Sequence, residues 1–120
     1  MSELCPVEMA VKKQQQHGDT VFPYALVCPD TDASLANAAS WVNTQRADLL
    51  NLANQHGAVL LRGFPVTGAV DFDTMVQALK LTNFPYGESL SNAVRINRTD
   101  RVFSANEAPP EVQIFFHHEM

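Results

Sequence analysis

The chain has 120 residues, 46% of them hydrophobic and 18% charged, and a formal net charge of −5. That length is enough for one domain with a core, and the composition is that of a globular protein rather than a disordered or fibrous one. The acidic balance argues against a nucleic-acid partner, because phosphate binding needs concentrated Lys and Arg.

The one basic cluster is Arg95, Arg98 and Arg101, interrupted by Asp100, and it reads as a solvated loop. Cys5 and Cys28 form no Cys-x-x-Cys pair and are too few for a disulfide framework, so a reducing compartment is the default. The early Lys12-Lys13-Gln14-Gln15-Gln16 run is polar where a secretion signal needs an apolar core, and no apolar run has membrane-spanning length. The expectation is a cytoplasmic protein with no membrane partner. Its oligomeric state is not legible.

Residues 1–20 lack a sustained period and read as a loosely ordered lead-in with room for one edge strand. Residues 21–120 then form the body of the domain. Val21 to Val27 is apolar but contains Pro23, which removes a ladder donor, so an edge strand or extended arm is expected. From Ser34 the period becomes helical, with Leu35, Ala38, Val42, Leu49 and Leu52 on one stripe and Ala39 and Ala53 widening it. Asp32 or Ser34 can cap the start of this helix, and Gly57 can end it. Trp41, on the helix flank, reads as a packing residue.

Ala58 to Pro65 is a short continuous apolar run bounded by Gly57 and Pro65, the pattern of a strand buried on both faces. Arg62, at its end, is expected to anchor on a carboxylate or on carbonyls. A second helix follows, with Phe72, Met75, Val76 and Leu79 as its core stripe, Asp71 near its start and Lys80 near its end. Tyr86 to Asp100 is polar and aperiodic, a loop long enough to carry function. Arg101 to Ser104 reads as a strand, Pro109-Pro110 as a rigid turn, and Val112 to His117 as a final strand.

On that last strand, side chains alternate, so His117 and Glu119 share a face and His118 takes the other. An imidazole and a carboxylate so placed can supply two of the three ligands of a two-histidine, one-carboxylate iron site, whose remaining positions stay open. A terminal His-His-Glu is also what a solvated tail looks like. The ligand types alone leave both readings standing.

The ordered set is more informative than its parts. Gly57 to Phe64, a helix containing Phe72, Pro85-Tyr86, and Ser104-Ala105-Asn106-Glu107-Ala108-Pro109-Pro110 leading into Phe116-His117-His118-Glu119-Met120 resembles the TauD/TfdA family of iron(II)- and 2-oxoglutarate-dependent dioxygenases. Within it the likeness is to members similar to the syringomycin-biosynthesis hydroxylases, where a Glu-x-Pro-Pro segment precedes His-x-Glu. It spans residues 21–120.

The resemblance implies an α+β chain forming the N-terminal part of a double-stranded β-helix (jelly-roll) dioxygenase fold with flanking helices and the barrel incomplete. It implies Fe(2+) on His117 and Glu119, with 2-oxoglutarate and O2 as co-substrates. Glu107, with Asn106 and Ser104 beside it, would bind a small-molecule substrate, and an amino acid or other amine-bearing metabolite suits a carboxylate there. Phe115 and Phe116 would keep the surroundings apolar.

The family pattern runs on to a distal histidine that completes the metal triad and an arginine that holds 2-oxoglutarate. Neither His17 nor His56 stands at the distal position. The expectation is therefore an N-terminal fragment that binds iron weakly and is inactive alone. Two other readings stay open. One is a non-catalytic remnant or interaction module; the other is a structural zinc site shared across a dimer through His117, His118 and Glu119.

Overall fold

The computed structural model describes residues 4–83, 95–105 and 107–116. In chain order its elements are β1 (Val7–Glu8), β2 (Gln15–His17), β3 (Thr20–Phe22), β4 (Tyr24–Val27), α1 (Leu35–His56), β5 (Val59–Arg62) and α2 (Ala69–Ala78). The strands make two small sheets, one ordered β1-β4-β5 and one pairing β2 with β3. The architecture is mixed α/β, and no closed barrel exists among the described residues.

The central unit is β4-α1-β5. Tyr24 to Val27 pairs in parallel with Val59 to Arg62, in register Tyr24↔Val59 through Val27↔Arg62. Parallel neighbours need a long crossover, and the 22-residue α1 provides it. Ser34 caps the helix, its hydroxyl oxygen accepting the Asn37 N–H at 3.1 Å. At the other end Gly57 takes φ 92°, and its N–H donates to the Ala53 carbonyl at 2.8 Å.

The stripe foreseen on α1 is the face that packs. Ala38, Val42 and Leu49 are buried. Val42 and Leu49 pack with Leu26 of β4, flanked by Tyr24, Val59, Leu61, Met75, Ala78 and Leu79. A second cluster joins Leu4, Cys28 and Ala38 with Ala33, Trp41, Phe64 and Met75. Trp41 packs as expected, its ring centroid 5.5 Å from that of Phe64. Met75 touches both clusters, and so ties α2 to the body of the domain.

Several expectations are corrected. Pro23 does not make its neighbourhood an edge; β4 is the central strand of its sheet. The proline lies between β3 and β4, and the ladder begins one residue later, where the Tyr24 N–H donates to the Ala58 carbonyl at 3.0 Å. A missing donor just before a strand costs that strand nothing. The lead-in holds β1, paired antiparallel with β4, and β2, paired with β3. Among the described residues β5 is an edge with half-buried Val59, Leu60 and Leu61, not a strand covered on both faces. The side chain of Arg62 is exposed and has no ion pair among the described residues. Its carbonyl does the local work, accepting the Cys28 N–H at 2.9 Å.

On α2 the period is right but its reach is not. Met75, Ala78 and Leu79 pack into the core, whereas Phe72 is 51% exposed. Contact with α1 falls on the later turns, where the Asn43 amide donates to the Ala78 carbonyl at 3.1 Å. Both cysteines are free, Cys5 exposed and Cys28 buried. No helix among the described residues is long and apolar enough to cross a membrane.

Candidate functional site

The segment expected to carry the site follows α2. Arg101 to Ser104 is not a strand. It is one arm of a tight turn with a single antiparallel bridge, Asn97↔Phe103. The Arg98 and Thr99 N–H groups donate to the Val102 carbonyl at 2.7 and 2.9 Å, and the Ser104 N–H donates to the Ile96 carbonyl at 2.7 Å. The Thr99 hydroxyl oxygen accepts two more, from the Arg101 N–H at 3.1 Å and the Val102 N–H at 3.0 Å. Short polar side chains bonding their own backbone compete with strand ladders, which is why this stretch turns instead of extending.

Asp73 holds that turn to the domain. It is 7% exposed, the only buried polar or charged residue among the described ones. The Arg101 guanidinium donates to it at 3.2 Å, and the Gln77 amide donates at 3.1 Å. The Thr99 hydroxyl, the Gln77 amide and the Arg101 guanidinium together hold the Asp73 carboxyl below its ordinary value, against the opposing effect of burial. So the basic cluster is not simply solvated: Arg101 is half-buried and paired, and Arg95 lies over the Phe103 ring at 5.5 Å. Beside Gln77 and Arg101 is a cavity of about 450 Å³ lined by those two residues with Val76, Leu81, Thr82 and Asn83.

Of the expected site residues, Ser104 lies within the turn. Its hydroxyl oxygen accepts the Ile96 N–H at 2.9 Å, and its carbonyl accepts from the Arg95 guanidinium at 3.4 Å. Glu107 is exposed. Asn106, His117 and Glu119 lie outside the described residues, as do His118 and Pro85-Tyr86.

Pro109-Pro110 does form a turn, closed by the Val112 N–H on the Pro109 carbonyl at 3.0 Å. Residues 112–116 form no strand, in contrast to expectation, and Val112, Ile114, Phe115 and Phe116 are exposed. A strand exists only when a neighbour takes its N–H and C=O groups, and no described strand lies beside this one. Among the described residues no group of three or more His, Cys, Asp or Glu is placed to hold a metal ion.

The other two histidines are engaged structurally. The His56 Nδ1–H donates to the Val21 carbonyl at 2.8 Å, and its ring sits 4.8 Å from that of Tyr24. His17 contacts the Gln15 side chain at 2.8 Å on the exposed hairpin. Burial, and secondarily the nearby Glu8, pushes the Tyr24 hydroxyl above its ordinary value.

Asp73 is the residue that sequence reasoning missed. The available signal was an acid within the apolar stripe of α2, four residues before Gln77, with an isolated arginine cluster downstream.

No protein-family model matches the chain. Among curated proteins, the chain is similar to a clavaminate synthase-like protein of Arabidopsis thaliana, at 38% identity over 125 aligned positions that take in 100% of this chain and 37% of that protein. The chain thus spans a little over a third of the length of the curated relative it matches.

Proposed function

We propose that this chain is part of an iron(II)- and 2-oxoglutarate-dependent oxygenase of the TauD/TfdA type, acting on a small-molecule substrate. The observation that carries the reading is 38% identity, along the whole of this chain and a little over a third of the relative, to a clavaminate synthase-like protein, a name that goes with Fe(II)- and 2-oxoglutarate-using oxygenases. Descent from that group carries with it a jelly-roll fold, of which β1-β4-β5 and the two helices are the flanking front part. On this reading the distal histidine and the 2-oxoglutarate-binding arginine are to be sought in the part of such a protein that this chain does not span.

The donor chemistry fits the metal. His117 and Glu119 offer an imidazole nitrogen and a carboxylate oxygen two residues apart, the ligand types iron(II) takes in a facial site with open positions. When bound there, iron with 2-oxoglutarate and O2 supplies the oxidising power for the substrate. The remaining roles belong to the chain itself. Because the Ser104 oxygen already accepts the Ile96 N–H, its hydroxyl proton is left to donate to an acceptor on the substrate. The exposed Glu107 carboxylate suits an ammonium, and the Asn106 side chain can pair with either kind of group. An amino acid or similar amine-bearing metabolite meets both demands.

The test is to express the complete open reading frame containing this chain and follow iron-dependent conversion of 2-oxoglutarate to succinate and CO2. Turnover that disappears in His117→Ala and Glu119→Ala supports the assignment. A product with no such turnover, whose iron binding is the same in both variants, refutes it.

One observation favours a second reading, a non-catalytic interaction module. Val112 and Ile114 are 49% and 59% exposed, an apolar run open to association. Concentration-dependent self-association without iron-dependent turnover would favour that reading over the first.

A further inference from the structure

We propose that Asp73, Gln77 and Arg101 form a clasp that positions the segment carrying Ser104 and Glu107 against α2, making Asp73 and Arg101 positioning residues for the proposed site. The inference rests on the oxygenase reading for what the segment does, but not for how it is held.

A carboxylate taken out of water is strongly unfavourable unless it is paired and hydrogen-bonded. Asp73 is 7% exposed, and of its two hydrogen-bonding partners Gln77 comes from its own helix. Arg101 comes from the far turn, so α2 tolerates an inward acid only while that turn is docked.

Thr99 shapes the turn: its oxygen accepts the Arg101 and Val102 N–H groups at 3.1 and 3.0 Å, and so fixes where the Arg101 side chain leaves the backbone toward Asp73.

The turn needs that fastening. Its hydrogen bonds are all local and its ladder is the one bridge Asn97↔Phe103, and a lone hairpin is marginal in water until it packs against something else. Ser104 closes the turn through both its N–H and its hydroxyl oxygen on Ile96, at 2.7 and 2.9 Å. Whatever holds the turn therefore sets where Ser104 points and where the chain departs toward Glu107.

Asp73→Asn keeps the size of the side chain and removes its charge. Arg101→Lys keeps charge and removes the planar fork that reaches Asp73. Arg98→Gln, an exposed change on the same turn, is the control. All three are made in the protein expressed from its complete reading frame, and two readouts are taken well below the unfolding temperature. The first is amide hydrogen exchange at Ser104 and Thr99 compared with amides in α1. The second is anaerobic Fe(II) titration, because the same segment runs on to His117.

Exchange at Ser104 and Thr99 should rise at least tenfold in Asp73→Asn and less in Arg101→Lys, with α1 unchanged. Fe(II) should bind more weakly than to the parent, by more than the scatter of repeat titrations. Arg98→Gln should match the parent in both. Exchange that rises equally in α1 would make the pair a general stabiliser and overturn the proposal, as would local loosening with unchanged Fe(II) affinity. A parent protein that binds no Fe(II) refutes the oxygenase reading instead, and the exchange arm still decides whether the clasp holds the turn.

Discussion

Leu49 gives the sharpest test of the packing argument, because its sequence neighbour is the natural control. Leu49 is 7% exposed and packs with Val42 and Leu26 between α1 and the central strand, while Leu50 is 40% exposed. Leu49→Ala removes three carbons from that contact, about 2.4 kcal/mol at roughly 0.8 per buried carbon. The neighbouring side chains collapse only partly into the space, so the total should reach about 3 kcal/mol. Leu50→Ala deletes the same atoms from a half-wet site and should cost under about 1 kcal/mol. Urea unfolding followed by far-ultraviolet circular dichroism reads the difference. With a slope of about 1.5 kcal/mol/M, the midpoint should drop by about 2 M for Leu49→Ala and by well under 1 M for Leu50→Ala. Equal shifts for the two variants would mean that the α1 face assigned to the core is wrong.

The caps and the buried acid give three further expectations. Ser34→Ala should cost about 1 kcal/mol and speed exchange of the Asn37 amide, whereas Ser34→Asp, which restores an acceptor, should recover most of it. Gly57→Ala meets a left-handed φ of 92° and would place a Cβ 3.0 Å from the Phe22 ring; Gly18 has φ 62° and nothing within 4 Å of its added Cβ. Gly57→Ala should therefore destabilise more than Gly18→Ala by thermal unfolding, and equal effects would remove the ring contact from the account. Asp73 has a folded pKa below its ordinary value of 3.8, so its contribution is fully present above that value and is lost as pH falls through the lower folded value. Acid unfolding of Asp73→Asn should therefore lack part of the pH dependence seen in the parent below pH 3.8, and superimposable curves would refute the pairing.

Local rules made α1 and its ends legible. A capping serine, a stripe at helical spacing and a terminating glycine each state a preference that neighbouring residues share, and all three agree on one helix. The strands were harder to read. Pro23 reads as part of an apolar run, but it lies between two strands that belong to different sheets. What decides a strand's place is the partner that takes its hydrogen bonds, and that partner can be a crossover away: Tyr24 meets Val59 only because α1 returns the chain. The run Val112 to Phe116 shows the same rule from the other side. Its residues favour extension, yet extension without a neighbouring ladder leaves them exposed and irregular.

The candidate site divides along the same line. The proposed ligands, His117 and Glu119, rest on residue type and spacing, which a linear sequence carries. How the chain is held on the way there is a matter of pairing across distance. Asp73 breaks the local pattern of α2, since a charge on a packed stripe opposes burial of that face, and Arg101 alone resembles any surface arginine. Only together do they satisfy each other, and then the conflict disappears. A local rule broken by one residue and repaired by another 28 positions away marks a place where the fold depends on a long-range contact. That contact fastens the turn containing Ser104, so in the proposed site the part least visible in the sequence is the part that would aim it.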